Sequence, residues 1–587
     1  MTTQSTAPVA QPVATMPEPV PLQPSLRPPK VAYFSMEVAL GADIPTYSGG
    51  LGILAGDTLR AAADLGIPMI GVTLLYRKGY FQQKIDPQGR QTEEPVDWDP
   101  SKFLEPMEPI ATLTVEGRPV HVRCWRYQIN GVNGHVVPVY LLDAGIATNS
   151  DWDQTLSDTL YGGDPHYRLC QELLLGVGGV EILSKLGHGD VEIFHMNEGH
   201  SALLVLRLVE GLLAQKGRRY PLGDDIAKIR QQCVFTTHTP VPAGHDSFPG
   251  DLVRQILGAD RTKLLFSTGF TGGDQLNMTH LALHHSNYVN GVAMKHGEVS
   301  RAMFPNYTVR ALTNGVHAAT WTAPAVQELF DREIPEWRHD NLYLRYAISI
   351  DLEEVRRAHQ EAKQALLDEI RHETGVSLDP GVFTVGFARR ATGYKRAHLF
   401  MTDVERLRKI ARQAGKFQIV YGGKAHPRDE GGKQNIKFIV EAAKKLSKDV
   451  QIVYVPNYDW RWGALLTSGV DLWLNTPVKT REASGTSGMK AALNGIPSLS
   501  VLDGWWIEGH LEGLTGWSID DRGDGEAGEA ESLYEKLERI ILPLYYQDPD
   551  GWAQVMRTSM AMNGAFFNTQ RMLLQYIFNA YAAVARV

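Results

Sequence analysis

A lysine in a turn rich in glycine and hydroxyl groups has the most informative chemical setting in this 587-residue sequence. Residues 482–490 read EASGTSGMK; they follow the apolar run VDLWLNTP and lead into AALNG, which predicts a strand, a turn and a helix carrying Lys490. Most lysines lie on solvated helix surfaces. A partly buried lysine instead has a lowered pKa and can form a Schiff base, which is how pyridoxal phosphate is attached to proteins.

A second group of cations follows another predicted strand. The segment ARRATGYKRAH places Arg389, Arg390, Lys395 and Arg396 within eight residues, directly after FTVGF. Such a run is usually a solvated face. At the carboxyl end of a strand it is better placed to bind phosphate, because arginine offers a bidentate fork and lysine a point charge.

The segment GGLGILAGD, residues 49–57, forms a glycine turn before a predicted helix. It loosely matches a dinucleotide fingerprint, but the next strand ends in LLYR without an acid for a ribose, which argues against NAD. Two readings remain equally open. The turn either presents backbone N–H groups to an anion or only needs positive φ angles.

Other chemistries are disfavoured by spacing. The segment HMNEGH, residues 195–200, lacks the H-E-x-x-H order and has no cysteine nearby, so we predict no metal site there. His238 and His245 are interpreted as positioning residues for the same reason. Ser487 and Lys490 match S-x-x-K, but the chain contains no S-D-N motif, which excludes the penicilloyl-type serine enzymes.

Strand and helix patterns alternate along the chain in two successive arrays. The first runs from VAYFSM through CVFTTHTP and includes HVRCWRYQ and HVVPVYLLD, which look like an inserted hairpin; the second begins after the charged helix DLEEVRRAHQEAKQALLDEIRHETG. We therefore predict an α/β fold with two doubly wound, Rossmann-like domains facing a cleft. The predicted boundaries are a proline-rich tail at 1–30, domains at 31–320 and 321–570, and a C-terminal helix at 571–587 that packs back on the first domain.

The composition is that of an ordinary globular protein, with 43% hydrophobic and 21% charged residues. The net charge of −8 argues against nucleic acid or an anionic membrane as a partner. Three cysteines without paired spacing fit a reducing compartment, and no run approaches the ~20 apolar residues of a membrane span. Since residues 1–30 lack a signal-peptide pattern, we expect a cytoplasmic location.

With these motifs in view, the chain resembles the α-glucan (glycogen, starch and maltodextrin) phosphorylases, in a short bacterial-type form. The resemblance covers roughly residues 31–510. Beside EASGTSGMKAALNG it is carried, in the family's order, by SGGLGILAGD, LYGGD, NEGHSALL, TTHTP, YVNGVAMKHGEVSR, LTNGVHAATW, RATGYKR and YGGKAHP. It implies a two-domain GT-B fold, a pyridoxal 5'-phosphate cofactor and a homo-oligomer. It also implies reversible phosphorolysis of α-1,4-glucans to glucose 1-phosphate with retention of configuration.

The resemblance also implies roles for individual residues. The catalytic set is Lys490 as the cofactor anchor, Arg390 and Lys395 on the substrate phosphate, His238 beside the glucosyl unit and Asp164 on the gate. The cofactor set adds Thr486, the backbone of Gly49, Gly50 and Leu51, Arg389 and Tyr458. The substrate set is His200, Asn314, Tyr394, Glu482, Ser484 and Gly485.

The sequence departs from the long animal-type pattern in several places. Arg389 stands where those enzymes usually carry a lysine, and Asp459 stands where an arginine is expected, so Arg461 or Arg389 is expected to compensate. The gate carries Gly162 and Gly163 and lacks the usual asparagines. The chain is also much shorter, which predicts that regulatory insertions are absent.

The resemblance implies a mechanism based on charge. Two neighbouring phosphates, that of the substrate and that of the cofactor, repel each other and should share a proton. One rival is a nucleotide-sugar glycosyltransferase of the same fold, which often carries E-x7-E, but the position eight residues after Glu482 is Lys490. A second rival, a catalytically silent glucan-binding protein, would not need both a cofactor lysine and an anion-binding pair.

Overall fold

The computed structural model describes residues 28–270 and 274–582, so nearly all of the predicted tail at 1–30 lies outside the described residues. The described chain contains parallel sheets flanked by helices, which confirms the predicted α/β class. No helix in these ranges is long and apolar enough to cross a membrane. The strands are β1 (Val31–Ser35), β2 (Met69–Leu74), β3 (Gln82–Ile85), β4 (Gln91–Glu94), β5 (Glu105–Val115), β6 (Arg118–Asn130), β7 (Val136–Asp143), β8 (Ile193–Asn197), β9 (Cys233–Thr236), β10 (Ser247–Pro249), β11 (Gln275–Asn277), β12 (Tyr288–Gly291), β13 (Arg310–Ala311), β14 (Phe383–Ala388), β15 (Phe417–Gly422), β16 (Gln451–Val455), β17 (Leu472–Asn475), β18 (Ser498–Val501) and β19 (Gly516–Ile519).

The helices fall where apolar residues recur at helical spacing, and glycine, proline or aspartate often marks their ends. The α-helices are α1 (Gly50–Asp64), α2 (Asp151–Gln154), α3 (Pro165–Leu173), α4 (Gly179–Lys185), α5 (Leu204–Lys216), α6 (Gly223–Gln232), α7 (Gly250–Leu257), α8 (Ala259–Phe266), α9 (Met278–His284), α10 (Met294–Met303), α11 (Ala318–Trp321), α12 (Pro324–Glu333), α13 (Leu352–Thr374), α14 (Val404–Gln413), α15 (Glu430–Leu446), α16 (Trp460–Gly469), α17 (Thr486–Leu493), α18 (Trp506–Gly509), α19 (Gly525–Lys536), α20 (Leu542–Gln547), α21 (Pro549–Ser559) and α22 (Thr569–Tyr576).

The first large sheet has nine strands in the order β13-β12-β9-β8-β1-β2-β7-β6-β5. Its strands are parallel from β13 to β7, and β6 and β5 are antiparallel additions at one edge. The β6–β7 hairpin is therefore part of this sheet rather than a separate insertion, since β7 pairs in parallel with β2. The chain reverses its direction of growth between β1 and β8, so a ligand crevice is expected at their carboxyl ends.

The second large sheet has six strands, all parallel, in the order β16-β15-β14-β17-β18-β19. Its central strands are buried throughout, as expected for a parallel sheet covered by helices on both faces. The chain reverses here between β14 and β17. The basic motif ARRATGYKRAH follows β14, and the lysine-bearing motif EASGTSGMK follows β17. Both motifs therefore lie at the switch point of the second sheet.

The C-terminal segment packs against the first sheet. Tyr576 and Tyr581 are fully or almost fully buried, and both ring hydroxyls reach that sheet. The Tyr581 hydroxyl lies 2.7 Å from His195 Nδ1, and the Tyr576 hydroxyl lies 2.9 Å from Thr236 Oγ1. The chain thus returns from the second sheet and covers the first with its last described helix.

This packing predicts a stability effect in α22. Leu573 is 0% exposed in the cluster that joins α22 to β1 and β2, whereas its neighbour Leu574 is 41% exposed. Leu573→Ala should cost about 2–5 kcal/mol of local stability, because it leaves a cavity in a packed core. The thermal unfolding midpoint of Leu573→Ala should be lower than that of the wild type. The midpoint of the matched control Leu574→Ala should be almost unchanged. Equal midpoints in the two variants would contradict the packing.

Candidate active site

The site forms where the carboxyl ends of the two large sheets meet. Glu37 follows β1 and His238 follows β9 in the first sheet; Arg390 follows β14 and Lys424 follows β15 in the second. The two edges touch directly. The Lys424 Nζ donates to the Phe81 carbonyl at 3.0 Å, and Arg390 Nη2 lies 3.4 Å from Ser48 Oγ.

Lys490 lies at the buried face of α17. Gly485, with φ of +85°, occupies the left-handed region that lets the chain turn into this helix. Lys490 is 7% exposed, and its Nζ lies 3.4 Å from the centroid of the Trp321 ring. Burial lowers the pKa of Lys490 to about 8, and the negative charge of Asp57 opposes that shift. A larger fraction of this amine is therefore neutral and nucleophilic near neutral pH than for an exposed lysine.

Two of the predicted phosphate-side cations share one carboxylate. Arg389 Nη2 donates to Glu482 Oε2 at 2.7 Å, and Lys395 Nζ donates to the same oxygen. Burial raises the pKa of Glu482, but the two cations outweigh it and hold that pKa below its usual range. The group keeps one net positive charge, and the buried Arg389 Nη1 has no hydrogen-bond partner among the described residues. It can therefore accept an anion.

Arg390 lies over the glycine turn. A Cβ on Gly49 would lie 3.0 Å from Arg390 Nη2, so a side chain there would crowd the guanidinium. The N–H groups of Ser48 and Gly49 both donate to Glu37 Oε2, at 2.5 and 3.1 Å. No side chain caps α1, which leaves the N-terminal end of its dipole open at Gly50 and Leu51. The Gly49 N–H is thus taken by Glu37, which is not the phosphate contact expected of it, and the helix end at Gly50 and Leu51 is the part of the turn that can face an anion.

The histidines of the first sheet are neutral hydrogen-bonding groups. His238 Nε2 lies 2.6 Å from Asn197 Oδ1, and burial lowers the pKa of His238 to about 3. Burial also lowers the pKa of His200 to about 4, with its Nε2 3.4 Å from Asp246 Oδ2. Asn314 is 3% exposed, and its buried Oδ1 has no partner among the described residues. Uncharged groups of this kind suit a polyhydroxyl ligand.

The structure places the remaining predicted residues in different settings. Ser484 Oγ is buried without a partner in the described chain, and Thr486 begins α17. Tyr394 lies beneath Lys395 Nζ, 4.5 Å from ring centroid to nitrogen. Tyr458 is packed against Gly422 and Gly463, next to a cavity of about 450 Å³ that Ser48 and Lys424 also line.

Asp164 and Arg461 lie apart from this group. Asp164 is exposed and caps α3 by accepting from the Tyr167 N–H at 2.9 Å. The adjacent Gly163 carbonyl accepts from Arg428, so this gate segment contacts the second half of the chain. Arg461 is exposed and pairs with Glu369 at 2.5 Å, which leaves Arg389 as the better placed compensating cation.

Sequence reasoning missed four charged residues at this site. Glu37 binds the glycine turn, Asp57 acts on Lys490, Lys424 reaches across to Phe81, and the Asp503 carboxylate accepts from the Glu482 N–H at 2.9 Å. Three of them directly follow a β-strand or lie within two residues of its end, and that position was the available signal. Asp459, which stands where the related pattern has arginine, caps α16 through the Trp462 N–H at 3.0 Å.

Comparison with known proteins defines the class. The family profile described as carbohydrate phosphorylase matches residues 31–116 and 259–512. The maltodextrin phosphorylase of Thermococcus litoralis is 37% identical over 94% of this chain and 70% of its own length. Glycogen phosphorylases of Mycobacterium tuberculosis and Aquifex aeolicus are each 35% identical over 95% of this chain, and over 71% and 86% of their own lengths. The chain belongs to the carbohydrate phosphorylase family.

The Asp503 carboxyl gives a pH prediction. Burial, with the Glu482 charge as a smaller cause, raises the pKa of Asp503 to about 6, against ~4 in an unfolded chain. The folded protein therefore binds this proton more tightly than the unfolded chain does. The protonated Asp503 stabilises the fold at low pH, and this stabilisation, about 1.4 kcal/mol per unit of pKa shift, is lost as pH rises from ~4 through ~6. Asp503→Asn should gain stability over the wild type across that window.

The measurement is a urea midpoint at several pH values for both proteins. Asp251→Asn is the control, because the Asp251 side chain is 100% exposed. A constant difference between Asp503→Asn and the wild type at all pH values would contradict the assignment.

Proposed function

We propose that this protein is an α-1,4-glucan phosphorylase that transfers a terminal glucosyl unit to inorganic phosphate and releases glucose 1-phosphate. One observation carries the proposal: the buried Lys490 and the cation cluster of Arg389, Arg390 and Lys395 follow adjacent strands at one sheet edge. A lysine that anchors a cofactor and cations that bind phosphate are both needed by this reaction. Relatives named maltodextrin and glycogen phosphorylase support the same substrate class.

The two sheets fit the expected pair of Rossmann-like domains, 31–320 and 321–570, with the last helix returning to the first. In this arrangement the cleft lies between the carboxyl edges, with the glucan on the side of His200, His238 and Asn314. The buried neutral histidines and the unpartnered Asn314 Oδ1 support the sugar side.

The residues fit pyridoxal 5'-phosphate. Arg389 Nη1, which has no partner among the described residues, supplies a cation, and the uncapped start of α17 at Thr486 adds N–H donors. Lys490 would hold the group covalently, over the Trp321 ring. When bound, the cofactor supplies a phosphate that can exchange a proton with the substrate phosphate.

The chain's own groups then position the reacting atoms. Arg390 and Lys395 would bind the substrate phosphate and offset its negative charge, while the α1 dipole at Gly50 adds to the field. That phosphate protonates the glycosidic oxygen, the bond between this oxygen and the anomeric carbon breaks, and the shortened glucan leaves with the proton as a hydroxyl. The phosphate then attacks the oxocarbenium-like carbon from the same face, so the α configuration is retained. Glu482, which is held anionic, would accept hydrogen bonds from sugar hydroxyls, and the neutral His238 would bind the same glucosyl unit.

Two alternative functions are less well supported. A nucleotide-sugar transferase with E-x7-E would carry an acid at the position of Lys490. A silent glucan-binding protein would gain nothing from burying Lys490, since desolvating an amine has a cost. The buried lysine separates both alternatives from the phosphorylase.

The cofactor assignment has a direct test. The wild-type protein should show an absorbance band at a longer wavelength than the bands of the aromatic residues. Borohydride reduction followed by peptide mapping should label Lys490. Lys490→Ala should purify without covalently reducible pyridoxal phosphate, because the substitution removes the amine that lies over the Trp321 ring. The other two lysines named at the site are engaged elsewhere, Lys395 with Glu482 and Lys424 with the Phe81 carbonyl. A label on a different lysine would disprove the assignment.

Lys395 should act on phosphate rather than on glucan. Lys395→Ala removes a charge-assisted contact worth roughly 1.5–3 kcal/mol and should lower kcat as well as raise KM for phosphate, because negative charge grows on the phosphate as it donates its proton. Glucan affinity without phosphate should change little. Both constants should be measured for phosphate and for a maltooligosaccharide.

Arg461→Ala is the matched control, because Arg461 is an exposed cation paired with Glu369. It should leave phosphate kinetics unchanged. If Lys395→Ala behaves like Arg461→Ala, the basic segment is only a solvated turn.

A further inference from the structure

Asp57 is a buried carboxylate beside the lysine site for which neither the sequence motifs nor the proposed mechanism has a role. It lies on α1, two turns after the glycine turn, and is 0% exposed. Its Oδ2 accepts from the Trp321 indole N–H at 2.7 Å and from the His317 N–H at 3.1 Å. Its Oδ1 is buried and has no hydrogen-bond partner among the described residues. A buried, half-satisfied carboxylate is costly, so its presence needs a reason.

Trp321 connects this carboxylate to Lys490. Its ring lies under Lys490 Nζ at 3.4 Å and contacts the Trp460 ring at 4.8 Å between centroids, with the two planes tilted by 31°. The Trp321 carbonyl also accepts from Asn494 Nδ2 at 2.8 Å, just beyond α17. The hydrogen bond from the indole N–H to Asp57 therefore fixes the orientation of the ring on which the ammonium lies.

Other charges near Lys490 are already paired. Arg60 Nη1 lies 3.8 Å from Asp57 Oδ1, but its two terminal nitrogens donate to the carbonyls of Ala39 and Leu40. Asp64, farther along α1, accepts from His317 Nε2 at 2.7 Å.

On the other side of α17, Glu482 is neutralised by its two cations, and Asp459 caps α16. Met556 and Met560, which lie beside Gly495 just after α17, are apolar. Asp57 is therefore the nearby anion whose charge acts on Lys490.

We propose that Asp57 is a positioning residue for Lys490. One carboxylate oxygen of Asp57 holds the Trp321 ring under the amine, and the charge of the other oxygen stabilises the protonated nitrogen. This deepens the proposed function and rests on it where the cofactor is concerned. The residue comes from the first sheet's helix, whereas Lys490 comes from the second sheet's helix. The protonation of the lysine nitrogen thus depends on contact between the two halves of the chain.

The test compares wild type with Asp57→Asn, which keeps the shape and an acceptor oxygen but removes the charge. The cofactor absorbance band of each holoenzyme is titrated against pH. Loss of a nearby anion should lower the midpoint of the lysine nitrogen by about 1 pH unit or more. Asp64→Asn is the matched control, because it lies on the same helix and contacts the same histidine; its midpoint should equal that of the wild type.

A second variant tests the positioning step. Trp321→Phe keeps an aromatic ring but loses the N–H that holds Asp57, so its midpoint should shift in the same direction as that of Asp57→Asn. An unchanged midpoint in both variants, or an equal shift in Asp64→Asn, would overturn the proposal. If Asp57→Asn does not fold, the midpoint of Trp321→Phe alone tests the proposal. A lowered midpoint supports it, and an unchanged midpoint overturns it.

The outcome can be separated from failure of the proposed function. If the wild type carries no cofactor band, carbamylation of Lys490 by cyanate, followed by peptide mapping at a series of pH values, reports the same midpoint without any cofactor. A lower midpoint in Asp57→Asn would then support the role of Asp57 although the phosphorylase proposal had failed.

Discussion

The Glu482 carboxylate, shared by Arg389 and Lys395, is the interaction on which the site depends. Two cations this well buried would repel each other and lose hydration, and one anion between them offsets both effects. The anion is in turn available only because the turn after β17 lies beside the turn after β14. Breaking such a buried group by removing one partner typically costs 3–5 kcal/mol. The net positive charge that remains favours the binding of an anion.

The same edge keeps an amine in an aromatic environment a short distance from these charges. Lys490 Nζ lies over the Trp321 ring, which Trp460 contacts, and burial lowers the pKa of that lysine to about 8. Lys395 thus lies beside a carboxylate. Lys490 instead lies over an aromatic ring, and a larger fraction of its amine is neutral near neutral pH than for an exposed lysine. Two lysines that follow adjacent strands of the second sheet thus acquire different chemistry from their surroundings.

The departures from the long animal-type pattern also have a structural setting. Asp459, which stands where an arginine is expected, has a structural role, because its side chain caps α16. Arg461, one of two candidates to replace the missing cation, turns outward to Glu369, whereas Arg389 stays in the site with a free nitrogen. Lys424, which the sequence pattern did not single out, also lies beside Asp459 and has its pKa lowered to about 8 by burial.

The sequence by itself determined the α/β class and the strands that precede each motif, because apolar periodicity and glycine turns act over a few residues. The order of its motifs also carried the resemblance to the phosphorylase family. It also identified Lys490 and the basic segment as residues that bear chemistry. Only the tertiary structure decided which charges neutralise one another: that Glu482 binds Arg389 and Lys395, that Glu37 takes the N–H groups of the glycine turn, and that Asp57 lies against Trp321. These partners are separated by between 11 and 264 residues in the chain. Local patterns carry no information about such pairs, since the distance between two charges, and the burial that strengthens their interaction, are set by how the two sheets meet.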